Sequence, residues 1–387
     1  MDDLPGYEIL VCPVSRVRLR PMALSEAEDL LGGRIDAGIG RGYRPIGPTP
    51  SVLVRDDHQG AYPVVDGIPV LMAPEILRPA GSLDPGVDVT DPRYVEAYTE
   101  MEHYSAAAAR DAQDVAASAS ASRVARLAAL VAGGAATTFP DPRYGWLDAT
   151  HELQAQWEAF GHLQPVAGSR MLEIGGRGLH AVKLLLAGAA EAWLISPMVG
   201  ELVYARALAR HAGVADRLRC AAALAEELPL ADGSIDGVYS QGCVHHWVTS
   251  LALPECHRVL RAGGRFAAVE PWRGPLYGLG TAILGKRDPA VHCVVLSPGR
   301  VEPYLEGFGG WQVNHHGAVL RYPLLALRKA GIKLSRPMMW RLSLVDDAIS
   351  SLVPPVRRRG SSVAILATAR RSESDVSHMK ARAATGT

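Results

Sequence analysis

RMLEIGGRGLHAVKLLL, residues 170–186, decides the fold of this 387-residue chain. Arg170–Ile174 is a short apolar run that ends in glycines, and Leu179–Leu186 carries apolar residues at helical density. That is a buried strand, a tight turn and a helix. Working outward, the alternation repeats. Trp193–Ile195 reads as a second strand and Leu202–His211 as a helix, with Leu218–Ala221 a third strand. Ile235–Ser240 is a fourth, launched from the Asp232-Gly233 turn. Leu251–Leu260 reads as a helix closed by Gly263 and Gly264 in the C-cap role, and Arg265–Glu270 as a fifth strand. Alternating strands and helices predict an α/β fold: a doubly wound, mostly parallel sheet with helices on both faces.

The flanks differ. Residues 1–80 are rich in Gly and Pro, with β-prone runs at Ile9–Val11, Ser51–Arg55 and Ile68–Met72, and predict a small β-rich module. Residues 81–90 read as a linker. Tyr94, Val95, Tyr98 and Met101 recur at spacings of three and four, so 81–164 is taken as linker and helical region, extended by the Ala-rich segment 105–132. The α/β domain then spans 165–370. It carries a helical cap inserted at about 276–360, with helices at Leu324–Ala330 and Met339–Leu352 and strands at Trp311–Ala318 and Val363–Ala369. Residues 371–387 are expected to be a disordered tail.

Forty basic residues balance 40 acidic ones, so charge gives no case for nucleic acid. No uncharged run approaches the roughly 18 residues of a bilayer span, and MDDLPGYEIL has no signal-peptide pattern. No membrane partner and a cytoplasmic location are expected. The five cysteines are scattered and odd in number, so neither a disulfide framework nor a zinc pattern follows from them.

Three segments in this order carry a resemblance: 171–186, AEELPLADGSIDGVYSQGCVHHW at 225–247, and LPECHRVLRAGGRF at 253–266. Together they resemble class I S-adenosylmethionine-dependent methyltransferases, of the small-molecule, ubiquinone/menaquinone-type branch. The resemblance implies a Rossmann-like fold and S-adenosylmethionine as cofactor. The implied activity is methylation of a small-molecule oxygen, carbon or carboxylate, with secondary metabolism as its setting. It places the cofactor on Glu173, Gly175, Gly176 and Gly178, on Ser196, Pro197 and Met198, on Leu224, Ala225 and Glu226, and on Gln241 and Gly242. The glycines let a ligand approach backbone N–H groups at a helix N-terminus.

The chain departs from that pattern. Arg177 and Leu179 occupy loop positions usually held by glycine. Ser196 stands where an acid usually grips the ribose hydroxyls, and Leu224 where one often meets the adenine amine. Glu201 is either a substitute for the ribose acid or an exposed helix-start residue. His245 and His246 are the candidate catalytic bases, with His246 preferred beside Trp247; the alternative is that the pair packs locally. Tyr98, Tyr104, Trp247 and Trp272 are the candidate substrate residues. No N-P-P-[YF] motif follows the fourth strand, which argues against methylation of amine or glutamine side chains. Rival readings are a methyltransferase fold that only binds or scaffolds, and one that uses its pocket for other chemistry.

ILVCPVSRVRLRPM at 9–22 and YPVVDGIPVLM at 62–72 resemble a second family, the small zinc-ribbon-like methyltransferase activators. Ser15 replaces a zinc cysteine, and Asp56, Asp57 and His58 supply no second pair, so no metal is expected. The resemblance implies that residues 1–80 dock on the methyltransferase domain; oligomerisation stays open.

Overall fold

The computed structural model describes residues 7–35, 51–79, 87–88, 90–134, 145–148, 152–273 and 294–370. Most of the 81–90 linker, the start of the cap insertion and the 371–387 tail lie outside them. The chain begins with a four-stranded antiparallel sheet: β1 (Leu19–Ala23), β2 (Ser51–Arg55), β3 (Ala61–Val65) and β4 (Ile68–Pro69), with helix α1 (Leu24–Leu31) after β1. Three helices follow, α2 (Pro92–Gln113), α3 (Ala119–Ala132) and α4 (Leu153–His162). The Ala-rich stretch is not one helix. It breaks at Asp114, and Ser118 restarts it as α3, its Oγ accepting from the Ala121 N–H at 3.0 Å.

Seven strands form the main sheet: β5 (Arg170–Ile174), β6 (Glu191–Ile195), β7 (Leu218–Ala221), β8 (Ile235–Gln241), β9 (Leu260–Pro271), β10 (Gly310–His316) and β11 (Ser362–Thr368). Their order is β7-β6-β5-β8-β9-β11-β10, and β11 alone runs antiparallel to its neighbours. Helices α5 (Leu179–Leu186), α6 (Val199–His211) and α7 (Thr249–Val259) cross between strands. Met171, Leu172, Ile174, Trp193–Ile195 and Phe266–Val269 are all buried, as a parallel sheet covered on both faces requires. The chain steps outward from β5 to β6 and β7, then crosses back to β8 on the other side of β5. That reversal opens a crevice at the carboxyl ends of β5 and β8.

Gly263 and Gly264 do not cap α7. The helix ends at Val259, Leu260 is already extended (φ −72°, ψ 133°) and pairs with Ile235. Gly263 takes φ +75°, and a Cβ on Gly264 would lie 2.8 Å from the Arg261 carbonyl oxygen and 3.2 Å from that of Asp236. The two glycines bend β9 where it closes on β8.

The run Ile68–Met72 forms only a two-residue strand, because Val70 changes partner. Leu71 N–H donates to the Ala222 carbonyl (2.7 Å) and Ala222 N–H to that of Pro69 (2.8 Å), just beyond β7. Ile9–Val11 likewise forms no strand of its own. Ala231 N–H donates to the Ile9 carbonyl (2.8 Å) and Val11 N–H to that of Pro229 (3.0 Å). Leu10, Cys12, Leu53, Tyr62 and Leu71 join one apolar cluster with Leu172, Trp193, Leu228 and Leu230. Arg16 pairs with Glu255 at 2.9 Å.

At the other edge, His316 on β10 is buried between Asp347 (2.9 Å) and Glu158 of α4 (3.2 Å). Burial alone would pull its pKa down; hydrogen bonds to the two carboxylates outweigh that and raise it from 6.5 to about 9. A pKa raised on folding stabilises fully below the unfolded value and is lost as pH rises through the folded one. His316→Gln should therefore cost roughly 2 kcal/mol at pH 6 and little at pH 9.5, after allowing for solvent at the partners. Paired urea melts at the two pH values check it; equal losses at both would exclude a charged His316.

Candidate active site

The crevice between the carboxyl ends of β5, β6, β7 and β8 is roofed by α2, leaving a cavity of about 290 Å³. Its floor is the turn after β5. Gly175 and Gly176 take φ of +79° and +75°, and a Cβ on Gly175 would sit 2.5 Å from Cys243 Sγ. No side chain fits there, which leaves the backbone bare to a ligand. The roof is held by a close crossing: a Cβ on Gly200 would lie 1.9 Å from the Ser105 carbonyl oxygen, and Gly200 N–H donates to Ser105 Oγ at 2.8 Å.

Of the expected cofactor residues, Gly175, Gly176, Ser196, Pro197, Met198, Leu224, Ala225, Glu226 and Gly242 line this cavity. Glu173, Gly178 and Gln241 do not. Glu173 is buried behind the turn, accepts from Ala181 N–H at 2.6 Å, and is pushed up to about 8 by burial. Gly178 lets α5 start against α6, since a Cβ would meet Ala205 Cβ at 2.4 Å. Gln241 is taken by Gln156 Nε2 (2.8 Å) and the Tyr239 hydroxyl (2.7 Å).

Glu201 is not an exposed helix-start residue. It is 7% exposed and lies on the cavity wall, where Ser196 Oγ donates to its Oε2 at 3.3 Å. Burial raises its pKa. Arg177 leaves the loop open by turning outward: it pairs with Asp111 of α2 at 2.6 Å and lies 5.5 Å from the Tyr204 ring centre. Glu226 accepts from Val248 N–H at 2.7 Å, and burial pushes its carboxyl up to about 7.

The adjacent histidines part company. His245 Nδ1 lies 2.7 Å from Glu270, a fully buried carboxylate that also accepts from Cys243 and Val244 N–H groups. His245 thus pins the loop after β8 and is not on the cavity wall, unlike the position expected of a base. His246 is on the wall, with Nδ1 2.9 Å from Glu100 Oε1 and 4.0 Å from Glu96 Oε1. The distance is that of an ion pair, without a hydrogen bond between the two groups. The ligand-type atoms of Glu96, Glu100 and His246 all lie within 4.8 Å of one another, a spacing compatible with a metal ion.

Among the candidate substrate residues, Tyr104 and Trp247 line the cavity. Tyr98 does not: its hydroxyl donates to Glu75 of the N-terminal module. Trp272 is buried edge-on against His315, 5.3 Å between ring centres, outside this cavity. Glu96 and Glu100 were not anticipated. The signal was there: Glu96, Glu100 and Tyr104 are spaced by four along α2 and share one face of it.

Residues 172–268 match the family model described as a methyltransferase domain. Over 108 residues the chain is 38% identical to the malonyl-[acyl-carrier protein] O-methyltransferase of Methylococcus capsulatus, a match covering 27% of this chain. The chain spans only 38% of that relative's length. Among solved structures it is similar to geranyl diphosphate C-methyltransferase from Streptomyces coelicolor (17% identity, 62% of this chain and 88% of that one, TM-score 0.42). It is also similar to Haemonchus contortus phosphoethanolamine N-methyltransferase 2 (19% identity, 56% and 52%, TM-score 0.40). Among the described residues, no helix is long and apolar enough to cross a membrane. The similarity to a methyltransferase domain thus falls on the β5-to-β9 core, residues 172–268, which is built as a Rossmann-like α/β sheet.

Proposed function

We propose that this protein transfers a methyl group from S-adenosylmethionine to a small-molecule acceptor. The observation that carries the reading is one cavity with two differently furnished ends. The bare Gly175–Gly176 turn suits the methionine end of the cofactor. Glu201 offers the carboxylate for the ribose hydroxyls that Ser196 lacks, and Leu224 with Ala225 gives adenine an apolar face. The residues present fit the cofactor. When bound, it supplies a methyl group activated on a sulfonium sulfur.

At the other end, His246 takes the acceptor's proton and Glu100 holds the imidazole in place. Trp247 and Tyr104 position the acceptor. Glu96 and Glu100 repel an anion, so a hydroxyl or carbon acid suits this end better than a carboxylate. The N-terminal module acts as a docked support for the roof through Tyr98, which reaches Glu75, while Tyr94 and Arg93 tie α2 to Glu227 of the α/β domain at 2.9 and 3.1 Å. A cytoplasmic location agrees with this chemistry.

Calorimetric titration of the full chain with S-adenosylmethionine and S-adenosylhomocysteine tests the reading. Glu201→Ala should weaken both by about 10- to 150-fold, the value of one or more charged hydrogen bonds. Ser196 and Leu224, which stand where acids are expected, favour a second reading of a fold that no longer methylates. No heat and no thermal shift at millimolar cofactor would establish that one instead.

A further inference from the structure

The helix Arg336–Ser351 packs on the core through Met339 and Trp340, yet it carries a second apolar face turned to solvent. Its polar Asp346 and Ser350 are buried, and Asp346 accepts from the N–H groups of Ala318 (3.0 Å), Val319 and Leu320. Its apolar Met338, Leu344, Val345 and Ile349 face solvent, each 45–47% exposed, and Leu352 just beyond is 81% exposed. Met338, Val345, Ile349 and Leu352 are separated by seven, four and three residues, so they form one stripe along the helix. An ordinary surface helix places these residues the other way round.

The charge around the stripe has one sign. Between Gly317 and Gly360 the sequence holds two acids, Asp346 and Asp347. The first is buried and the second is turned onto His316. Lys333, Arg341, Arg358 and Arg359 are exposed. A second copy of this face would set positive charge on positive charge. A surface with anionic headgroups over an apolar layer complements both features at once.

We propose that this helix lies in the plane of an anionic lipid surface, with Leu344, Val345, Ile349 and Leu352 inserted and Lys333 and Arg341 at the headgroups. This is peripheral contact, distinct from the spanning helix that the sequence excludes, and it revises the expectation of no membrane partner. It stands independently of the methyl-transfer reading.

Flotation of the full chain with vesicles tests it, using phosphatidylcholine alone or in equal mixture with phosphatidylglycerol. The chain should float with the mixed vesicles only, and added salt should weaken the binding. Each positive charge removed from Lys333 or Arg341 should cost about fivefold in binding. The pair Ile349→Ser and Leu352→Ser should cost about tenfold or more while leaving the melting temperature unchanged, since both side chains are exposed. Failure of the wild-type chain to float overturns the proposal, as does flotation that survives both sets of substitutions. Loss with the charge variants but not the apolar ones would assign the face to an acidic macromolecule and also overturn it. So would a lipid-free dimer, seen in sedimentation equilibrium, that dissolves on the Ile349→Ser and Leu352→Ser changes.

Discussion

Glutamine in place of His246 should slow methyl transfer by roughly 10²–10⁴-fold at neutral pH, the usual share of a positioned proton acceptor. Glu100 lies 2.9 Å from Nδ1, so its carboxylate steadies the imidazolium that forms when the ring takes the proton. Glu100→Gln keeps the shape of the wall but removes that charge, and should cost about tenfold. Neither change touches the Gly175–Gly176 turn or Glu201. Affinity for S-adenosylhomocysteine should therefore stay within about threefold while kcat falls. Transfer of a labelled methyl group to a hydroxyl-bearing acceptor from a compound screen supplies the rate. Full activity in His246→Gln would reduce the residue to a piece of cavity wall.

Lys183→Met should destabilise the fold by about 3–5 kcal/mol, because it strands a buried carboxylate. Lys183 is fully buried on α5, its ammonium 3.0 Å from Asp148 and 5.6 Å from the Phe160 ring centre. Burial pushes the Lys183 pKa down to about 8. Burial works against the Asp148 charge too, but Lys183 and His180 outweigh it and hold that carboxyl well below its usual range. Gln156 ties the pair to the end of β8: its Nε2 donates to Asp148 and to Gln241 Oε1. Asp148→Asn combined with Lys183→Met should be less damaging than the two single losses added together, since neither charge is then left alone. Urea unfolding of the three variants measures the coupling. Additive losses would show that the pair contributes no mutual stabilisation.

What was legible in the sequence was local. The bounds of β5, α5 and β7 follow from apolar runs cut by glycines, and a few residues suffice to read them. β1 escaped notice because LRPMA exposes Arg20 and Pro21 and owes its extended form to pairing with β2. Ile68–Met72 looked like one strand because nothing near it in the chain announces Ala222. The candidate site divides in the same way. Ser196–Met198 and Leu224–Glu226 follow strand ends, so their place at the crevice could be read from order alone. Glu96 and Glu100 could not, since α2 reaches the crevice through tertiary contacts such as the Gly200–Ser105 crossing. His245 and Trp272 stand at the right positions in the chain. Their side chains are drawn off by Glu270 and His315, partners that a linear motif does not show.

The bridging of the N-terminal module to the main sheet bears on how the chain is made. Val70 meets Ala222 and Leu10 meets Leu230, contacts more than 150 residues apart in synthesis order. A ribosome delivers the module's strands first, yet their outer partners emerge only after β7 and the approach to β8. Until then the Leu10, Tyr62 and Leu71 surfaces stand uncovered and open to aggregation. The module is thus made before the sheet that completes it. Contacts of such long range make folding slow, and a nascent chain released before residue 230 could not bury its own beginning.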